Sequence, residues 1–97
     1  MNINIKAIHF EIADRLTDFI NKKATRLARH YPDMTDFDVT LKVIKPETAM
    51  NKEATVKVVL PPAADMVAGK TADTFEEAID LCLEALEKQL EKVKGRK

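Results

Sequence analysis

Few side chains in this chain are suited to making or breaking bonds. There is one cysteine, Cys82, and the two histidines, His9 and His30, lie far apart in sequence. Nucleophilic catalysis needs a base beside the nucleophile and donors for developing charge, and no such grouping or glycine-rich phosphate loop is present. Cys82 falls between Ile79 and Leu86 on an apolar helical stripe, where burial raises a thiol pKa and keeps the group inert, so it reads as a small core residue. His9 reads as a strand-end surface residue. His30 reads as a half-exposed helix-end residue that would meet phosphate when protonated. Asp33, Asp36 and Asp38 suggest a calcium loop, but the glycine and terminal glutamate spacing of such a loop is missing, and turn formation and strand exposure account for them. Four scattered methionines make no soft-metal site. Neither enzyme chemistry nor a metal, a cofactor or a small-molecule substrate is expected.

What remains is the chemistry of charge. The 97 residues carry 16 Lys+Arg and 16 Asp+Glu, a formal net charge of zero, yet the charges are sorted by position. Leu16, Phe19, Ile20, Ala24, Leu27, Ala28 and Tyr31 recur at helical spacing after Asp14, which caps the helix or charges its first turn, and Pro32 stops it. On a wheel with Leu16 at zero, Leu16, Ile20, Ala24, Leu27 and Tyr31 fall at roughly 0° to 80° and face the sheet. Arg15, Lys22, Lys23, Arg26, Arg29 and His30 span roughly 220° to 340°, and Asp14, Asp18 and Asn21 lie at roughly 140° to 200°. The cations form a stripe.

A second helix begins at Thr74-Phe75-Glu76-Glu77, which matches a capping box, and continues through Phe75, Ile79, Cys82, Leu83, Leu86, Leu90 and Val93 to Gly95. With Ile79 at zero, Glu76, Glu77, Asp80, Glu84, Glu87 and Glu91 make an acidic flank at roughly 60° to 160°, and Lys88 and Lys92 project at roughly 180° to 220°. Lys94, Arg96 and Lys97 extend the positive charge beyond them. Acids early and cations late in a helix suit its macrodipole, which accounts for much of this second pattern. A macrodipole does not demand lateral sorting around the first helix. Two basic stripes on neighbouring helices point to a polyanion, and phosphate backbones are the commonest in cytoplasm.

Between and before the helices the apolar period changes to two. Ile3 and Ile5 alternate with Asn2, Asn4 and Lys6 in a strand running towards Ala7 or Ile8. Phe37, Val39, Leu41 and Val43 alternate with Asp38, Thr40 and Lys42 after the turn at 32–36, and Ala54, Val56, Val58 and Leu60 alternate with Thr55, Lys57 and Val59. Lys45-Pro46-Glu47 opens the connection between those strands, and Pro61-Pro62 ends the second. Met66 to Thr71 is a weaker strand, because Gly69 lowers its propensity, and it fits the place of the third strand of a meander. The order strand, helix, three strands, helix predicts an α+β two-layer sandwich: a four-stranded mixed sheet with two helices on one face and the other face solvated.

Composition narrows the setting. A hydrophobic fraction of 45% and a charged fraction of 33% suit one globular domain over 1–97 with a modest core. One cysteine excludes an intramolecular disulfide and fits a reducing, cytoplasmic compartment. No signal peptide or membrane span is legible, since the apolar stretch from Val58 is broken by prolines. With no Trp, one Tyr and four Phe, the chain lacks the aromatic surface of base-stacking modules.

Several blocks resemble one family, the ribosome hibernation promoting factors, which include the ribosome-associated inhibitor and the sigma-factor modulation proteins. Asn4-Ile5, then Glu11-Ile12 before a helix with Leu16, Phe19 and Leu27, resemble its opening block, and Leu41-Lys42-Val43 its second strand. Ala78-Ile79-Asp80, followed by Leu86-Glu87-Lys88-Gln89-Leu90 and by Lys92 and Lys94, is similar to its signature helix. Departures are local. Thr74-Phe75-Glu76 replaces an Asp-Met-Tyr triplet, so the cap survives without the Tyr; Ala85 replaces a Lys, Lys88 an Arg, and Ala13 a capping Thr. Lys88 keeps the charge but not the bidentate phosphate geometry.

The resemblance implies a βαβββα sandwich similar to the double-stranded RNA-binding domain. It implies binding to the small ribosomal subunit and its ribosomal RNA, in the channel of messenger and transfer RNA, and bacterial translation inhibition in stationary phase or stress. Carried over, Lys22, Lys23, Arg26 and Arg29 are the first-helix phosphate contacts, and Lys88, Gln89, Lys92 and Lys94 those of the last. Arg96 and Lys97 are added by charge. Longer members carry a C-terminal dimerisation domain, and this chain resembles the short form. The alternative is a generic double-stranded RNA-binding module or a sigma-factor modulator that does not act on the ribosome.

Overall fold

The computed structural model describes residues 1–44, 49–61 and 65–95, with side chains through residue 92. Period-two alternation produces four strands: β1 (Asn2–Ile8), β2 (Asp36–Val43), β3 (Lys52–Val59) and β4 (Met66–Ala72). The 3.6-residue stripes produce α1 (Asp14–His30) and α2 (Phe75–Gly95). The sheet order is β1-β2-β3-β4, with β1 parallel to β2 and the other pairs antiparallel, so the sheet is mixed. The expected βαβββα sandwich is the observed one. The proposed connection at Lys45-Pro46-Glu47, and Pro62, lie outside the described residues.

Register aligns the inward residues in rows across the sheet. Ile3, Phe37, Val58 and Met66 make one row, and Ile5, Val39, Val56 and Ala68 the next. The β2 and β3 members of both rows are fully buried. β3 and β4 also contribute small buried residues, Ala54, Ala68 and Ala72, and α2 offers Ala78 and Cys82 among its buried side chains. Small residues let a helix approach the strands closely, and the Cys82 thiol donates to the Ala54 carbonyl at 3.2 Å. The buried face of α1 supplies Leu16, Ile20, Ala24 and Leu27. On the opposite face, polar side chains pair with one another across strands: the Asn4 amide donates to Asp38 at 2.7 Å, and that of Asn2 to Asp36 at 3.2 Å.

Helix termini follow the sequence with one resolution of an open alternative. The N-cap of α1 is Ala13, which makes no side-chain cap, and Asp14 lies in the first turn, where its charge meets the positive end of the macrodipole. At α2 the Thr74 hydroxyl accepts the Glu77 backbone N–H at 3.1 Å. Thr74→Ala should therefore cost about 1 kcal/mol, which for a domain of this size lowers the melting temperature by roughly 4 to 8 °C in a thermal circular dichroism scan. Strand ends differ slightly from the apolar pattern. β2 begins at Asp36 and β3 at Lys52, because backbone pairing with Val59 and Ala72 continues past the alternating residues, while buried Leu60 falls just outside the ladder.

Cys82 is buried, as expected of a core residue, and burial pushes its thiol pKa up. The folded chain thus holds this proton to higher pH than the unfolded chain. The associated stability is complete below the ordinary thiol value of about 8.5 and is lost as pH rises through the folded value. Urea midpoints measured from pH 7 to 10 should fall above that point, and the fall should be shallower in Cys82→Ala.

Candidate nucleic-acid interface

The apolar face of α1 turns Leu16, Ile20, Ala24 and Leu27 into the core, and helical geometry then directs its cations outward and to one side. Arg15, Lys22, Arg26, Arg29 and His30 are exposed, and Lys23 is half-buried. Among the described residues, Lys22, Arg26 and Arg29 have no carboxylate at ion-pair distance. Altogether α1 carries five lysines and arginines against two aspartates.

α2 has the opposite balance, six carboxylates against three lysines. Its flank of Asp80, Glu84, Glu87 and Glu91 faces α1 and forms one wall of an interhelical groove of about 670 Å3. Lys23, Arg26 and His30 form the other wall, and Leu27, Leu83 and Tyr31 also line the groove. Lys23 Nζ crosses it to Asp80 Oδ1 at 3.1 Å and lies 5.2 Å from the centroid of the Phe19 ring. Burial pushes the Tyr31 phenol pKa up, and the Glu91 and Glu87 carboxylates add to the shift.

The expected site residues therefore fall into two tracks. Lys22, Lys23, Arg26 and Arg29 share one side of α1. Lys88 and Lys92 are exposed on α2 and do not line the groove, and Gln89 beside them is half-buried. Lys94 lies within α2, its side chain beyond those described, and Arg96 and Lys97 lie outside the described residues. The acidic flank was legible on the wheel, but its position between the two basic tracks was not. The right-handed sense of parallel strand-helix-strand connections is the rule that, applied to β1, α1 and β2, carries that information.

Phe75 opens α2 and stacks on Phe10 with ring centroids 5.1 Å apart and planes within 10°. Phe10 follows His9, which holds a left-handed φ of 64° between β1 and α1. Glu76, where the resembled family has Tyr, thus sits next to a residue that supplies an aromatic contact of its own.

Residues 3–97 match the family described as Sigma 54 modulation protein / S30EA ribosomal protein. The chain belongs to this family. Two of its relatives are ribosome hibernation promoting factors. The one from Pseudomonas putida is 30% identical over 96 residues, covering 99% of this chain and 89% of the relative. The one from Azotobacter vinelandii is 32% identical over 96 residues, covering 99% and 85%. The family fold is also seen in a ribosomal subunit interface protein from Coxiella burnetii, with a TM-score of 0.86, 23% identity, and 99% and 100% of the two chains covered. The N-terminal domain of Protein Y from Thermus thermophilus gives a TM-score of 0.79 at 27% identity, covering 96% and 99%.

Proposed function

We propose that this chain is a ribosome hibernation factor acting in the cytoplasm. It binds ribosomal RNA of the small subunit in the channel used by messenger and transfer RNA and inhibits translation in stationary phase or stress. The observation that carries this reading is the row of exposed cations on α1, Lys22, Arg26 and Arg29, which have no ion-pair partner among the described residues, in a member of this family. Such a row suits phosphate oxygens, which need positive charge and no base stacking. Lys23, Lys88, Gln89, Lys92 and Lys94 complete the proposed contacts, with Arg96 and Lys97 added by charge. The action is occupancy, with no bond made or broken. The name of the two relatives, ribosome hibernation promoting factor, supports a role in ribosome hibernation.

The test is competition on purified small subunits. If protein and initiator transfer RNA with messenger share one channel, each must weaken the other by the same factor. Adding initiator transfer RNA and messenger should displace the protein, and preformed initiation complexes should resist it. Simultaneous, independent cosedimentation of both would contradict the channel assignment. In cells, the protein should sediment with ribosomal particles more in starved than in growing cultures. Sedimentation elsewhere, with a sigma factor or with other RNA, would favour the alternative.

A further inference from the structure

The groove raises a question about Lys23 that the proposed interface leaves open. It is the α1 cation nearest the acidic wall, and in the free protein its ammonium is already bonded to a carboxylate, Asp80 Oδ1, at 3.1 Å. The lysine side chain is 30% exposed and that of Asp80 51%, so solvent and a ligand can reach both. Lys22 and Arg26 on the same helix have no such partner among the described residues. A carboxylate oxygen on a lysine ammonium occupies the position that a phosphate oxygen would take, because both are anionic acceptors with similar bond lengths.

We propose that Asp80 is an intramolecular stand-in for phosphate: it holds Lys23 in the free protein, must release it for RNA to bind, and so tempers the affinity of the interface. This rests on the phosphate-binding reading of α1. Phosphate must displace Asp80 from Lys23, and the uncovered carboxylate then faces the incoming backbone. Exposed ion pairs are weak, so the brake is a modest one that RNA binding overcomes. It is also local. Glu84 lines the same wall without an ion-pair partner among the described residues and affects phosphate only through its field.

The experiment measures equilibrium binding to small ribosomal subunits at fixed salt for the native chain and for Asp80→Asn, Glu84→Gln, Lys23→Met, Arg26→Gln and the double variant Lys23→Met with Asp80→Asn. All these positions are at the surface, and unchanged melting curves verify the fold. Asp80→Asn should bind about two- to five-fold more tightly than the native chain, the span of exposed ion pairs. Its gain should exceed that of Glu84→Gln and disappear in the Lys23→Met background. A weaker Asp80→Asn would overturn the proposal and make Asp80 a residue that orients Lys23 for RNA. A gain that persists without Lys23, or that Glu84→Gln equals, would also overturn it, leaving only a general field effect. Arg26→Gln separates the two levels. If it weakens binding while Asp80→Asn changes nothing, the brake is absent and the interface stands; if Arg26→Gln binds like the native chain, the phosphate reading of α1 fails with it.

Discussion

Small-subunit affinity should fall by at least about 100-fold in the double variant Arg26→Glu with Arg29→Glu, because two charge-assisted bonds to phosphate, each worth about 1.5 to 3 kcal/mol, are replaced by repulsion. The dependence of binding on salt should flatten as well. Each phosphate contact removed lowers the slope of log affinity against log salt by about 0.7 to 0.9. Filter binding across a salt series reads both effects. The fold is not at risk, since both side chains are exposed. Reversal at 26 even converts a like-charge spacing with Lys22 into a favourable i, i+4 pair, which offsets part of the macrodipole cost at 29. Lys88→Glu with Lys92→Glu should behave alike if the α2 track also meets RNA. Normal binding by that second variant would reduce those lysines to partners of the helix dipole, and normal binding by the first would remove α1 from the interface altogether.

Phe37→Ala should have the largest effect on stability. Phe37 is fully buried, in a row with Ile3, Val58 and Met66. Truncating a buried phenylalanine costs about 3 to 5 kcal/mol through lost burial and the cavity left behind. For a domain whose total stability is about 5 to 15 kcal/mol, this removes a large share. The melting temperature should drop by roughly 12 to 40 °C in a thermal scan. Below the new transition, ribosome binding should persist, because Phe37 lies in the core and not on either basic track. A drop of only a few degrees would mean that the sheet and helices close over the site more freely than a packed core permits.

These two variants also mark what could be read from the chain. Phe37, Val39 and Leu41 alternate so regularly with charged and hydroxyl residues that one face of β2 had to be buried. Leu16, Ile20, Ala24 and Leu27 likewise fixed the inward side of α1, and with it the outward turn of Arg26 and Arg29. A helical wheel treats each helix alone, however. Whether Glu84 and Glu87 face solvent or the cations of a neighbour depends on which side of α2 lies next to α1, a property of the packed pair. The Lys23–Asp80 bond spans 57 positions in sequence and has no local signature. Asp14 shows the same limit on a smaller scale: its type suits either a cap or a first turn, and only backbone geometry assigns the cap to Ala13.

The parallel pairing of β1 with β2 has a consequence for synthesis. Asn2 and Asn4 bond to residues 34 positions later in the chain, so the first strand made must wait for its partner, whereas β3 can pair with β2 as soon as it is made. At about 5 to 20 residues per second, translation leaves β1 waiting roughly 2 to 7 seconds for the matching length of β2 to be made. Throughout that interval Ile3 and Ile5 have no sheet to enter, and Asn2, Asn4 and Lys6, which alternate with them, keep the segment hydrated. A nascent chain arrested before residue 36 therefore leaves this segment unpaired and open to proteases and chaperones, and synthesis of β2 engages it as an edge strand of the sheet.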